Sequence, residues 1–206
     1  MNIFLFHCWG GNGRSCWSGW IADQLKVLSP ESPLARRPGQ GTHGSFTLSG
    51  RVLLPDFPNT SNPELEEWLA TTRKLVPRFE PKEEWVLVGH SLGCPTILRL
   101  LETFNDSERA KAVILIAGFA NDLGISEIRN FVDHDFDWKK IKKKAKKFVI
   151  INSDNDPFIE LSEGERMSKL LGAEFIVEHD AGHINEGSGF TKYPRLLGLL
   201  SGLQGD

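Results

Sequence analysis

Ser91 lies in Gly89-His90-Ser91-Leu92-Gly93, a G-x-S-x-G pattern in which a serine hydroxyl is a candidate nucleophile for acyl transfer. So short a pattern recurs by chance and carries weight only with a strand before it and a helix after it. Both are legible. Glu84 to Val88 reads as a strand, and Ile97, Leu100, Leu101 and Phe104 recur at helical spacing after Leu92. The two glycines let neighbouring backbone pass close to a sharp turn that projects the Ser91 hydroxyl at the N-terminus of the helix. A serine that merely caps the helix is the bland alternative, but a strained turn in that place has few purely structural uses.

A serine hydroxyl is a poor nucleophile at neutral pH and needs a base, with a third group to orient that base. In parallel sheets that carry this turn the chain order is Ser, then Asp or Glu, then His, each on a loop after a strand. After the run 147–152 comes Ser153-Asp154-Asn155-Asp156-Pro157-Phe158, and after 173–178 comes His179-Asp180-Ala181-Gly182-His183. Asp156 is favoured over Asp154 as the acid because Pro157 fixes the backbone just after it. His183, behind a glycine at a loop tip, is favoured as the base over His179, which ends a strand and is expected to point into packing. His179 and His183 also spell H-D-x-x-H, close to the zinc motif H-E-x-x-H. That motif needs both imidazoles on one helical face, whereas Gly182 and the β-type run before it make this a strand-to-loop transition. No metal or other cofactor is expected.

Acyl transfer also needs backbone donors aimed at the developing oxyanion. The N–H of Leu92, directly after the nucleophile, is one candidate. The loop Cys8-Trp9-Gly10-Gly11-Asn12-Gly13 offers the second, with Trp9 the choice. The same loop does not fit a nucleotide cradle: Cys16 stands at the third glycine position of G-x-G-x-x-G, and no Gly-Lys-Ser/Thr ending is present.

These residues must be positioned by an α/β fold, because short β-rich runs alternate with longer helix-like runs. Strands are expected over 2–7, 50–54, 84–89, 111–117, 147–152 and 173–178, and helices over 17–28, 62–78, 92–104, 137–146, 160–171 and 191–203. The last four strands are near-continuous apolar runs, as expected when helices cover both faces of a parallel sheet. Asn62 before Pro63 reads as an N-cap, and Asp137 as the cap of the following helix. Residues 29–49, with Pro30, Pro33 and Pro38, read as a surface excursion beside the site, a candidate flap.

The chain has 206 residues, 40% hydrophobic and 25% charged, which fits one domain spanning 1–206 and excludes disordered and fibrous classes. A net charge of −3 provides no global field for nucleic acid. The lysines at 139, 140, 142, 143, 144, 146 and 147 fit an amphipathic helix with Ile141, Ala145 and Phe148 inward and every lysine in solvent. The opening Ile3-Phe4-Leu5-Phe6 lacks a basic leader and reads as a buried strand, and no apolar run is long enough to span a membrane. Cys8, Cys16 and Cys94 are expected to be reduced thiols in a cytoplasmic protein. The six Trp are expected to be mostly core, with Trp9, Trp17 and Trp20 as candidates for the pocket border.

Taken together the residues resemble the α/β-hydrolase superfamily, and more narrowly the small serine hydrolases grouped with retinoblastoma-binding protein 9 and the YdeN-like proteins. The resemblance rests on Gly-His-Ser-Leu-Gly, Trp17 with Trp20, Pro55-Asp-Phe-Pro-Asn59 with Glu67-Trp68, and Asp137-Trp138. It continues through Ser153-x-x-Asp-Pro157 and Ala181-Gly-His-Ile-Asn185 to Gly189-Phe190 and Pro194, nearly the whole chain. It implies Ser91 as nucleophile, Asp156 as orienting acid and His183 as base, on a sheet of about six mostly parallel strands without a large cap domain. The family usually has Gly in the first loop where this chain has Cys8. The expectation is a serine hydrolase of a small carboxylic ester or amide, a carboxylesterase-like enzyme with no nucleic-acid or membrane partner. Nothing in the sequence indicates a protein partner. The alternative is a catalytically weak protein of the same fold that acts by binding another protein.

Overall fold

In a computed structural model, residues 1–27, 51–75 and 84–203 are described. Six strands form one parallel sheet in the order β2-β1-β3-β4-β5-β6. They are β1 (Asn2–Phe6), β2 (Val52–Leu53), β3 (Trp85–His90), β4 (Ala110–Ile116), β5 (Ala145–Ser153) and β6 (Glu174–Glu178). The helices are α1 (Ser18–Val27), α2 (Leu65–Leu75), α3 (Gly93–Thr103), α4 (Trp138–Lys142), α5 (Leu161–Leu171) and α6 (Pro194–Gly202).

Alternation along the strands divides the interior into two layers. Phe4, Phe6, Leu87, Val113, Leu115, Phe148 and Ile150 face one side and pack with α2, α3, α4 and α5. Ile3, Leu5, Val86, Val88, Ile114, Ile116, Val149 and Ile151 face the other and pack with Trp17, Ile21 and Leu25 of the α1 region and Leu196 and Leu200 of α6. The near-continuous apolar character of β3, β4 and β5 follows from this double cover. Strand β6 lies at the sheet edge and is only half-buried, unlike the expectation for it. Among the described residues, no cap domain stands over these layers.

Three expectations are corrected. The lysine-rich helix is confined to α4, and Ala145 already belongs to β5 because it pairs with Ala110 of β4. Lys144 is correspondingly buried, and its Nζ donates to the Asn105 carbonyl and to Asp106. Helix α2 begins at Leu65, so Asn62 does not cap it. The Leu65 amide instead donates to Asn130 Oδ1 from the short 3-10 helix Ser126–Phe131 that follows β4. Asp137 does cap α4, accepting from the Lys140 N–H at 2.9 Å. The excursion 29–49 lies outside the described residues.

Candidate functional site

Ser91 joins β3 to α3 with φ of 53°, the left-handed region that a residue with a Cβ rarely occupies. The turn is held by the Ser91 N–H donating to the Ile116 carbonyl of β4 and by the Ser91 carbonyl accepting from the Cys94 N–H, each at 2.9 Å. Its sharpness explains the two glycines. A Cβ on Gly89 would lie 2.8 Å from the Gly93 backbone, and one on Gly93 would collide with the Phe6 carbonyl of β1. Strain at this residue therefore persists because three strands and a helix fix the backbone around it.

The loop after β5 and the loop after β6 are stitched together residue by residue. Ser153 Oγ accepts from the Ala181 N–H and Asn155 Oδ1 from the Gly182 N–H, at 3.1 and 2.7 Å. Asp154 takes His179, with Oδ2 2.5 Å from Nδ1, and also the Asp180 amide. Asp156 takes His183, with Oδ2 2.7 Å from Nδ1. The Asp156 side chain is 0% exposed, and its Oδ1 accepts from the Phe158 and Ile159 N–H groups. A carboxylate only accepts, so His183 carries its proton on Nδ1 and leaves Nε2 as the basic nitrogen. His179 is exposed rather than packed inward, which corrects the expectation for it, and its bond to Asp154 lowers that carboxyl below the ordinary range.

His90, which the sequence reading left without a role, ties the His183 loop to the Ser91 turn. Its Nε2 donates to the His183 carbonyl at 3.0 Å, and the two rings lie 5.3 Å apart. Trp17 adds a second tie, its indole N–H donating to the Ile184 carbonyl at 3.0 Å; Trp17 is thus core and not pocket border. Ser91 and His183 are brought to the same edge of the sheet, but no hydrogen bond joins their side chains. Phe158, 62% exposed, stands edge-on to the His183 ring at 5.1 Å and presents apolar surface beside it.

Leu92 is the N-cap residue of α3, a position whose backbone N–H has no intrahelical acceptor. Trp9 lies in a turn closed by the Gly11 N–H donating to the Cys8 carbonyl, with Gly10 at φ of 68°. Its indole is directed to the Ser61 carbonyl. Because Phe6 is in register with Gly89, the loop after β1 leaves the sheet beside the turn that carries Ser91. His7 anchors that loop: Nδ1 donates to the Cys8 carbonyl and Nε2 accepts from the Phe57 N–H. Burial lowers its pKa from the ordinary 6.5, in keeping with a neutral ring that donates once and accepts once.

Cys8, Cys16 and His90 meet behind this loop, and Cys16 Sγ lies 4.0 Å from His90 Nδ1. The neighbouring Cys8 and His90 hold the Cys16 thiol well below its ordinary range, and the neighbouring Cys16 together with burial pushes the Cys8 thiol up. No single motif announces this group, because Cys16 and His90 are far apart in sequence.

A strained serine after a central parallel strand and a buried Asp–His pair on the loops after β5 and β6 agree with the similarity of the whole chain to known proteins. Residues 46–202 match the model of the serine hydrolase family. The chain belongs to the serine hydrolase family. This hydrolase is 33% identical over 200 residues to YdeN of Bacillus subtilis (strain 168), covering 97% of this chain and 94% of that protein. Its fold matches the crystal structure of the B. subtilis ydeN gene product with a TM-score of 0.82 at 25% identity, over 100% of this chain and 99% of the other. Est1E from Butyrivibrio proteoclasticus matches with a TM-score of 0.64 at 13% identity, over 99% and 85%. The hydrolase is thus a YdeN-like member of the α/β-hydrolase superfamily.

Proposed function

We propose that this hydrolase cleaves small carboxylic esters, with amides and thioesters open to the same steps, through an acyl-enzyme formed on Ser91. The observation that carries the reading is the contact of 2.7 Å between the buried Asp156 carboxylate and His183 Nδ1, because it orients the ring and leaves Nε2 as the nitrogen able to act as a base. In the first half-reaction His183 Nε2 takes the Ser91 proton while Oγ attacks the carbonyl carbon. The oxygen charge is met by the backbone N–H groups of Leu92 and Trp9. Asp156 stabilises the imidazolium, which then protonates the leaving alcohol or amine as its bond to carbon breaks. In the second half-reaction His183 takes a proton from water, hydroxide attacks the acyl carbon, and the same proton returns to Ser91 as the acid departs. Apo sites hold such hydrogen bonds loosely, so the missing Ser91–His183 bond is compatible with this cycle.

Hydrolysis of p-nitrophenyl esters from acetate to longer acyl chains tests the proposal. Wild type is expected to turn over the short members, and Ser91→Ala to lose kcat by roughly 10⁵-fold or more with its fold intact. Equal activity in both proteins, or none in a folded wild type across the series, would overturn it.

A further inference from the structure

Apart from the Ser91, His183 and Asp156 side chains, three soft donor side chains converge at the same end of the sheet. Cys8 lies two residues beyond β1, Cys16 lies just before α1, and His90 is the last residue of β3. Their ligating atoms all lie within 4.8 Å of one another. We propose that Cys8, Cys16 and His90 form a binding site for one thiophilic closed-shell cation, with Zn²⁺ as the reference ion.

The donor set is the first argument. Two cysteine sulfurs and one imidazole nitrogen suit zinc or copper(I) and disfavour calcium or magnesium, which select oxygen. Spacing is the second. Zn–S near 2.3 Å and Zn–N near 2.0 Å in a tetrahedron place ligand atoms ~3.5 to 3.8 Å apart. The existing separations, all within 4.8 Å, exceed that by ~1.3 Å at most, within reach of rotations about the cysteine Cα–Cβ bonds. Cys16 Sγ is already 4.0 Å from the nitrogen.

Orientation is the third. His90 Nε2 donates to the His183 carbonyl, so in the neutral ring the lone pair is on Nδ1, the atom turned toward Cys16. A ligating histidine whose other nitrogen is held by a backbone carbonyl is the usual outer support of a metal site. Both cysteines are free thiols and only half-buried, which leaves a path for the ion. Beside them, Glu186 Oε1 accepts from the Cys16 amide and adds negative charge. Binding forms two S–Zn bonds and one N–Zn bond and releases any remaining thiol protons to the buffer. Three protein ligands leave the fourth position to water. The ion takes no part in the proposed ester chemistry, but it would pin Cys8 next to Trp9 and His90 next to Ser91.

The test uses the full chain, stripped with a chelator and kept reduced with a phosphine. Cobalt(II) is expected to bind one per chain, with a thiolate-to-cobalt charge-transfer band and intense tetrahedral d–d bands that Zn²⁺ then displaces. Cys8→Ser and Cys16→Ser should each weaken binding beyond the ~10 to 100-fold typical of losing an outer supporting group, whereas Cys94→Ala should bind like wild type. Zinc should also shield Cys8 and Cys16 from iodoacetamide in peptide mapping of the unaltered chain, a readout that needs no variant to fold. A wild-type spectrum without the thiolate band, a band unchanged in both serine variants, or alkylation of Cys8 and Cys16 unaffected by zinc would each overturn the proposal.

Discussion

Two aspartates in one loop hold two histidines of the next loop, yet only one pair is enclosed. Asp156 is buried against His183, whereas Asp154 and His179 meet in solvent. Asp156→Asn is therefore expected to lower kcat by roughly 10³ to 10⁴-fold, because the amide can present its own N–H to the ring and favour the wrong tautomer. Asp154→Asn should leave kcat near wild type, since the exposed pair it breaks contributes little. Ester kinetics on the two variants read this directly, and equal losses would contradict it. Phe158→Ala should raise KM for aromatic esters more than it lowers kcat, because it removes apolar surface beside His183 and no reacting group.

His7 carries a pH dependence of a different kind. Its pKa in the fold lies below the ordinary 6.5, so between those two values the unfolded chain holds a proton that the folded chain does not. Acid then favours the unfolded chain: the stabilisation from neutral His7 is present above about pH 6.5 and is lost as pH falls through the folded value. The urea midpoint of wild type should drop on acidification through that window, and His7→Gln should show a shallower drop. Parallel acid profiles for the two proteins would contradict this assignment.

At the scale of elements, the turn between β3 and α3 depends on backbone contact that no side chain can enter. Gly93→Ala would drive a Cβ into the Phe6 carbonyl of a central strand, which cannot yield, and should cost about 1 to 3 kcal/mol or more. Gly198 in α6 is exposed and has open space where its Cβ would go, so Gly198→Ala should gain about 0.5 to 1 kcal/mol. Urea unfolding of both variants checks the opposite signs.

The elements themselves were largely legible in the sequence because apolar runs and their alternation with helical spacing are local signals. The ends were less so. Ile141, Ala145 and Phe148 satisfy a helical period, but pairing of Ala145 with Ala110 recruits the segment into β5, and pairing is not local information. The same limit hid the start of α2, whose first amide is satisfied by Asn130 of the distant 3-10 helix Ser126–Phe131. Of the candidate site, Asp156 and His183 could be found together because their order and flanking residues follow from the loops that must carry them. His90 and the two cysteines could not, because the register of β1 against β3 and the path of the loop between β1 and α1 bring them together, and neither is local information.

At the scale of the whole molecule, one sheet is shared by both apolar layers, so neither layer can lose its packing without exposing the other. We propose that residues 1–206 behave as one domain, and urea transitions followed by tryptophan fluorescence and by far-ultraviolet circular dichroism are expected to coincide. Two separated transitions would contradict that. The sheet also explains why the candidate site residues gather at one end. Parallel strands present all their carboxyl ends together, and the loops after β1, β3, β5 and β6 bring Trp9, Ser91, Asp156 and His183 to that edge.

The proposed activation of Ser91 by His183 is tested most directly by reaction of the folded chain with a fluorophosphonate followed by peptide mass spectrometry. One phosphonyl adduct per chain is expected, on the peptide containing Ser91, absent from Ser91→Ala and strongly slowed in His183→Ala. No adduct on folded wild type, or an adduct that persists in Ser91→Ala, would contradict it.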